Sequence, residues 1–190
     1  LRIWRTDRSP ENNFETIATM TRQKNVSDTG LTFEEIFRDY GKGLYSFLYS
    51  MCGNQHDAED LTQETFLSVM NKLPTFKGDS SLKSWIYAIA VNKFRDSLRY
   101  GRIREYKQLS GEEPASLQSP LSELVSRESA EKVKTAFYAL ADHHRTSFAL
   151  VRFEGMSYKE AAQVLGTTLD TVRMRVHRAH ILLAEQLKEH

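Results

Sequence analysis

Residues 153–179 constrain this chain more than any other stretch. They run Phe-Glu-Gly-Met-Ser-Tyr-Lys-Glu-Ala-Ala-Gln-Val-Leu-Gly-Thr-Thr-Leu-Asp-Thr-Val-Arg-Met-Arg-Val-His-Arg-Ala: a capped helix, a glycine turn and a second, arginine-studded helix. Ser157 and Glu160 have the spacing of a capping box, in which each side chain satisfies an amide that a helix start leaves unpaired. Gly166 supplies the left-handed position that ends the first helix, and Thr168 is an N-cap for the second. Val172, Val176, Ala179 and Leu183 recur at spacings of three and four and predict its buried stripe. Arg173, Arg175, His177 and Arg178 fall mainly off that stripe, on a helix sized for a DNA major groove. The plainer alternative is a helical hairpin with a solvated basic face. Cap, turn glycine, stripe and basic face coincide, which favours a helix-turn-helix.

The other 160 or so residues must be explained around that motif. A length of 190 residues with 40% hydrophobic content suits one or two compact domains. There is no run of about 18 apolar residues to span a bilayer and no apolar secretory leader, so a cytoplasmic location is expected. Cys52 is the single cysteine, so no intrachain disulfide forms. Its spacing to His56 resembles half a metal site, but no third or fourth ligand accompanies the pair, and neither metal nor cofactor is expected. No nucleophile, base and oxyanion constellation stands out, so an enzyme is not expected.

The net charge of +1 hides segregation along the chain. Asp57, Glu59, Asp60 and Glu64 crowd one stretch, and Lys93, Arg95, Arg99, Arg102, Arg104 and Lys107 crowd another, diluted only by Asp96 and Glu105. Blocks of opposite sign point to two different partners.

Residues 1–30 are polar and aperiodic, and we expect them to be a disordered extension. Met20 precedes the first convincing helix, so the residues before it read as dispensable or as an upstream start assignment. From Thr32, residues Phe33, Ile36, Phe37, Tyr40, Leu44, Phe47, Leu48 and Met51 trace a helical face to Gly53. Gly41 and Gly43 predict a kink or a close helix contact in its middle. A second helix is predicted from an Asp57 N-cap to Pro74, burying Ala58, Leu61, Thr65, Val69 and Leu73. A polar loop over 76–81 leads to a third helix from about Ser81 to Tyr100. Residues 107–120 lose periodicity and gain Ser, Gly, Glu and Pro, the composition of a flexible linker. Beyond it come Leu121, Leu124, Val125, Val133, Phe137 and Leu140, a short helix holding Phe148, Leu150 and Val151, and the helix-turn-helix. The expected fold is all-α: two small helical domains, 31–106 and 121–190, joined by the linker.

The segment 76–100 combines ring faces with cations, which single-stranded DNA asks for: stacking contributes about 1 to 3 kcal/mol per base while Arg and Lys follow phosphates. For Trp85 a core position competes with stacking. For the acids of the second helix, a favourable helix dipole competes with a partner surface.

Three motifs now stand in a telling order. Asp57-Ala58-Glu59-Asp60-Leu61-Thr62-Gln63-Glu64-Thr65-Phe66, the Phe-x-Gly-Asp-Ser…Trp-Ile…Ile-Ala-x-Asn segment, and Glu-Gly-Met-Ser-Tyr-Lys-Glu-Ala-Ala…Leu-Gly…Thr-Val-Arg…Arg-Val-His-Arg-Ala together resemble a bacterial extracytoplasmic-function (group IV) sigma factor of the sigma-70 family, over about residues 31 to 187. The resemblance implies promoter-specific transcription initiation, with residues 31–106 as the sigma-2 domain and 121–190 as the sigma-4 domain. Asp57, Glu59, Asp60, Gln63, Glu64 and Phe66 would bind core RNA polymerase at the β′ clamp helices, with further contact to the β subunit. Phe76, Lys77, Asp79, Ser80, Trp85, Tyr87, Asn92, Lys93, Arg95 and Arg99 would capture the −10 element as single strand. Ser157, Thr168, Asp170, Thr171, Arg173, Arg175, His177 and Arg178 would engage the −35 element. It also implies an anti-sigma factor, a linker threading toward the polymerase channels, and nucleoid association in the holoenzyme. Asp170 stands where the family often has glycine, Met174 where serine is usual, and His143 and His144 replace a stretch commonly carrying Pro and Arg or Gln. These departures bear on promoter sequence rather than on promoter binding.

Opening about five base-pair steps at about 1.4 kcal/mol each costs roughly 7 kcal/mol. One or two captured bases barely offset that, so the chain is expected to melt DNA only with core polymerase. The runner-up reading is an ordinary helix-turn-helix repressor or activator, and a third is an RNA-binding or adaptor module.

Overall fold

Thr32 begins the first helix by exchanging hydrogen bonds with Glu35: the Glu35 amide donates to the Thr32 hydroxyl at 3.3 Å and the Thr32 amide to the Glu35 carboxylate at 2.8 Å. The computed structural model describes residues 32–101 and 127–188. The proposed extension over 1–30, the linker over 107–120, and Arg102, Arg104, Lys107, Leu121, Leu124 and Val125 lie outside them. Every regular element among the described residues is helical.

Helix α1 spans Phe33–Cys52 and ends at Gly53, whose φ of 76° is left-handed backbone that glycine adopts without strain. It buries Phe33, Ile36, Leu44, Phe47, Leu48 and Met51, as its spacing requires. Of the two outcomes expected at its glycines, the close contact is the one found: a Cβ on Gly43 would lie 3.3 Å from the Tyr87 hydroxyl, and the helix runs through unbroken. Helix α2, Gln55–Lys72, is capped by Asn54 and not by Asp57. Asn54 Oδ1 accepts from the Asp57 amide at 2.9 Å, because α1 gives way to α2 across only Gly53 and Asn54 and the first available cap is taken. Leu73–Thr75 then form a single 3-10 turn around Pro74. Helix α3, Leu82–Arg99, starts at Ser81, whose hydroxyl accepts from the Ser84 amide at 3.1 Å. It packs Ile86, Tyr87, Ala90, Val91 and Phe94 against α1 and α2.

The second half contains α4 (Arg127–Tyr138), α5 (Asp142–Arg152), α6 (Tyr158–Leu165) and α7 (Leu169–Lys188). Phe137, Leu140, Phe148, Leu150, Met156, Val164, Leu165, Val172 and Val176 fill its interior. Arg145 is a buried cation at 3% exposure, so it must be paired. Its guanidinium donates to the Tyr138 carbonyl at 3.1 Å and to Asp142 at 2.5 Å and lies over the Tyr138 ring, which fastens the end of α4 to the start of α5.

The two halves touch. α3 packs on α6 and α1 on α5, and the buried apolar residues of both halves form one continuous core. The Tyr138 hydroxyl donates to the Tyr49 carbonyl at 3.3 Å. Across the same seam, Lys83 Nζ donates to the Glu154 carbonyl at 2.6 Å and Tyr87 Oη to the Glu154 carboxylate at 2.5 Å.

Candidate nucleic-acid and partner interfaces

The start of α2 is an exposed acidic ledge. Asn54 fixes Asp57 by a 2.7 Å bond from its amide nitrogen, Gln55 donates to Glu59 at 2.8 Å, and His56 Nδ1 stands 3.5 Å from Asp60. These carboxylates sit at the end of the helix where the backbone dipole favours anions. Asp60 is open at 58% side-chain exposure, while Asp57 and Glu59 are partly covered, so a basic partner surface meets Asp60 first. Gln63 is partly covered, and Glu64 faces inward to α3, where it pairs with Lys93 at 3.7 Å. A polymerase-facing acid and a DNA-facing cation of the sequence reading therefore hold each other.

Phe66 is corrected. It is 1% exposed, edge-on to the rings of Phe33 and Phe37, and belongs to the core instead of a partner surface. The signal was available: Ala58, Thr62, Phe66, Val69 and Leu73 recur at spacings of four and three. Thr62 disguised it, whereas Thr65 lies inside as expected. Both are buried because their hydroxyls donate back to the carbonyls of Ala58 and Leu61 at 2.7 Å, so polar residues occupy core positions.

The −10 candidates divide in two. Lys77, Asp79, Asn92, Arg95 and Arg99 are exposed, while Ser80 and Lys93 are partly covered. Gly78, at φ 76°, turns the loop between them. Phe76 and Trp85 pack on each other at 5.0 Å between ring centroids, both half-buried, so the loop ring props the helix ring. Tyr87 is also corrected. Its ring is 1% exposed and packs on Phe47 at 5.2 Å, leaving only its hydroxyl to reach outward, and that hydroxyl is bonded to Glu154. Burial and the Glu154 carboxylate push this phenol well above its ordinary range, so it acts as a donor only. Tyr100 closes the ring-and-cation segment without standing among the named −10 residues. It is 72% exposed with the Arg99 guanidinium 5.7 Å from its ring centre, the ring-and-cation pair that suits stacking on a base.

The helix-turn-helix forms as its sequence requires. Ser157 and Glu160 complete a capping box, Gly166 is left-handed at φ 61°, and the Thr171 amide donates to Thr168 Oγ1 at 3.2 Å. Val172, Val176 and Ala179 are buried with Leu183 packed beside them; Arg173, His177 and Arg178 are exposed. Asp170 accepts from Arg173 at 3.4 Å, so its charge is partly answered from within the helix. Arg175 is half-covered. Its charge is felt by Arg95 of α3, whose guanidinium is pulled below its ordinary range by partial desolvation and by that like charge. His144 is likewise held below the usual imidazole value by burial and by His143, Arg175 and Arg178.

Cys52 is buried, and burial pushes its thiol up to about 12, far from a thiolate ligand or nucleophile. Among the described residues no group of three or more His, Cys, Asp or Glu is placed to hold a metal, and no helix is long and apolar enough to cross a membrane.

Two helical modules, one with an acidic ledge beside an aromatic and basic helix and one with a basic helix-turn-helix, define a class of all-helical proteins with surfaces of opposite charge. Comparison with known proteins agrees. The chain matches Sigma-70 region 2 over residues 36–103 and Sigma-70 region 4 over residues 131–180. It is 33% identical over 162 residues to the ECF RNA polymerase sigma factor SigE of Mycolicibacterium smegmatis, covering 84% of this chain but 63% of SigE. It is 33% identical over 144 residues to the ECF RNA polymerase sigma factor EcfG of Rhodopseudomonas palustris, covering 76% of this chain and 78% of EcfG. The sigma factor RpoE of Bartonella quintana, solved with the anti-sigma factor NepR, superposes with a TM-score of 0.67 at 26% identity, over 82% of this chain and 96% of that one. The chain belongs to the extracytoplasmic-function RNA polymerase sigma factors of the sigma-70 family. As such it directs promoter-specific transcription initiation and is not an enzyme.

Proposed function

We propose that the work of initiation is divided among the surfaces described above. The domain boundaries are those of the sequence reading, 31–106 and 121–190. The acids Asp57, Glu59 and Asp60, with Asp60 the exposed one, dock on the β′ clamp helices of core polymerase. Lys77, Asp79, Ser80, Trp85, Asn92, Lys93, Arg95 and Arg99 hold the opened −10 strand, with Tyr100 as an added stacking ring. Thr168, Asp170, Thr171, Arg173, Arg175, His177 and Arg178 of the recognition helix face the −35 duplex, and Ser157 serves first as its neighbour's cap. The observation that carries this division is the separation of sign: an acidic ledge on α2 led by exposed Asp60, and outward cations on α3 and α7. A protein that only bound duplex DNA would have no use for the ledge. The chain works where polymerase and template are, in the cytoplasm at the nucleoid, and an anti-sigma factor is expected to cover these surfaces when transcription is not required.

Run-off transcription with purified core polymerase tests the assignment. Asp60→Arg is expected to weaken holoenzyme assembly roughly tenfold while leaving −35 duplex binding intact. Arg175→Ala is expected to cost about 1 to 3 kcal/mol at one promoter base pair if it reads a base, or uniformly across sequences if it grips phosphate. Unchanged polymerase affinity in Asp60→Arg removes the docking role.

A further inference from the structure

Met174 stands at the crown of α7. At about 100° per residue it lies about 200° past Val172 and about 160° before Val176, so it faces directly away from the buried stripe. That stripe packs α7 on α4, α5 and α6, which fixes the direction of the crown without any contact made by the crown itself. The Met174 side chain is 67% exposed, more open than any other large apolar side chain described except Tyr100. Asp170 precedes it by one turn, and His177 and Arg178 follow it by one, all exposed on the same outward side. Arg173, next to it in the chain, is held toward Asp170 at 3.4 Å.

The chemistry of the side chain and of its surroundings limits what can cover it. A thioether is at best a weak hydrogen-bond acceptor, so favourable contact comes only from an apolar group that displaces water from it. A protein-docking patch joins several apolar groups. Within a turn of Met174 the outward face is polar, and Leu187, the other strongly exposed apolar residue of α7, is roughly 20 Å away by axial rise. One apolar side chain ringed by an acid, an imidazole and two guanidinium groups suits a duplex better, because a helix seated in the major groove presses its crown toward the base edges. Guanine and adenine present N7 with O6 or N6 there, cytosine an amine, and thymine alone a methyl group. A thioether answers none of the polar edges, while its flexible, polarisable chain closes well around a small apolar group.

We infer that Met174 is a base-reading residue: it covers the 5-methyl group of one thymine in the −35 element and so selects a T·A pair at that position. The inference rests on the −35 assignment above and deepens it by naming one base. It also separates two kinds of work on one helix, since a cation on a phosphate supplies affinity without sequence and a methyl contact supplies sequence with little affinity.

The test uses core polymerase loaded with the full chain. This holoenzyme selects promoters from a library of genomic fragments, and each thymine of the selected −35 site is then replaced singly by deoxyuridine, which deletes the methyl group and nothing else. At one thymine the replacement is expected to weaken wild-type binding roughly fourfold, the effect of leaving one methyl-sized apolar group uncovered. Met174→Ala is expected to bind the thymine and deoxyuridine duplexes alike. That variant keeps the fold, because the side chain is exposed and alanine is a good helix former. Met174→Leu, which keeps an apolar tip, is expected to retain most of the discrimination. No such penalty at any −35 thymine, or a penalty that survives unchanged in Met174→Ala, overturns the inference and leaves Met174 to solvent or to a protein partner. The −35 assignment is judged separately. A chain carrying both Arg173→Ala and Arg178→Ala with affinity and selected sequence unchanged would remove that assignment, and the methyl reading with it.

Discussion

Phe66 and Leu67 are neighbours with opposite fates, and together they show how one residue's phase on a helix decides its role. Phe66 is enclosed by aromatic rings while Leu67 is 52% exposed. Phe66→Ala is expected to destabilise the N-terminal half by about 3 to 5 kcal/mol, and Leu67→Ala by no more than about 0.5 kcal/mol, measured by urea unfolding. A Phe66→Ala chain of unchanged stability but weakened polymerase binding would restore the partner-surface reading. His144 carries the pH dependence. Its imidazole is held below the ordinary value of 6.5 in the folded chain, with His143 beside it at 4.1 Å between ring centres and Arg175 and Arg178 adding positive charge. As pH falls, the unfolded chain therefore takes up this proton first. The stability that neutral His144 contributes is whole above about pH 6.5 and is lost as pH drops through 6.5 toward the lower folded value. Denaturation midpoints between pH 5 and 8 are expected to show this loss, and His144→Phe to flatten that part of the profile.

At the scale of elements, the sequence was most readable where local chemistry decides. The α6 capping box, the left-handed Gly166 and the stripe of Val172, Val176 and Ala179 need only neighbours a few residues away, so all were legible. Ser157→Ala removes that box and is expected to cost about 1 kcal/mol in the C-terminal half, with Ser157→Thr retaining most of it, by thermal melting. Helix α2 was harder. Asn54 and Asp57 are both good caps three residues apart, and the acidic run drew attention to the wrong one. Thr62, buried by a bond to its own helix, then broke the apolar pattern that marks a core face. Arg145 was hidden for a different reason: nothing in its own sequence neighbourhood says that the Tyr138 carbonyl and ring will turn back to meet it.

Over the whole molecule, the candidate site was legible as charge and ring content but not as an arrangement. The Glu64–Lys93 pair joins residues whose roles were read separately, and the Lys83, Tyr87 and Glu154 contact joins residues about 70 positions apart, beyond any periodicity. That contact also couples the stabilities of the halves. Lys83→Glu places two carboxylates against each other and is expected to separate the unfolding transitions of the two halves in a calorimetric scan. A trace identical to the wild-type one would mean the seam contributes nothing to stability.

The enclosure of Cys52 has a practical side. A lone thiol walled into the N-terminal half, and held protonated far above neutral pH, is silent to maleimides and disulfide reagents while that half is intact. Its rate of modification is consequently a native stopwatch for transient unfolding. Set beside the rate of global unfolding, that clock separates local opening around Cys52 from loss of the whole fold.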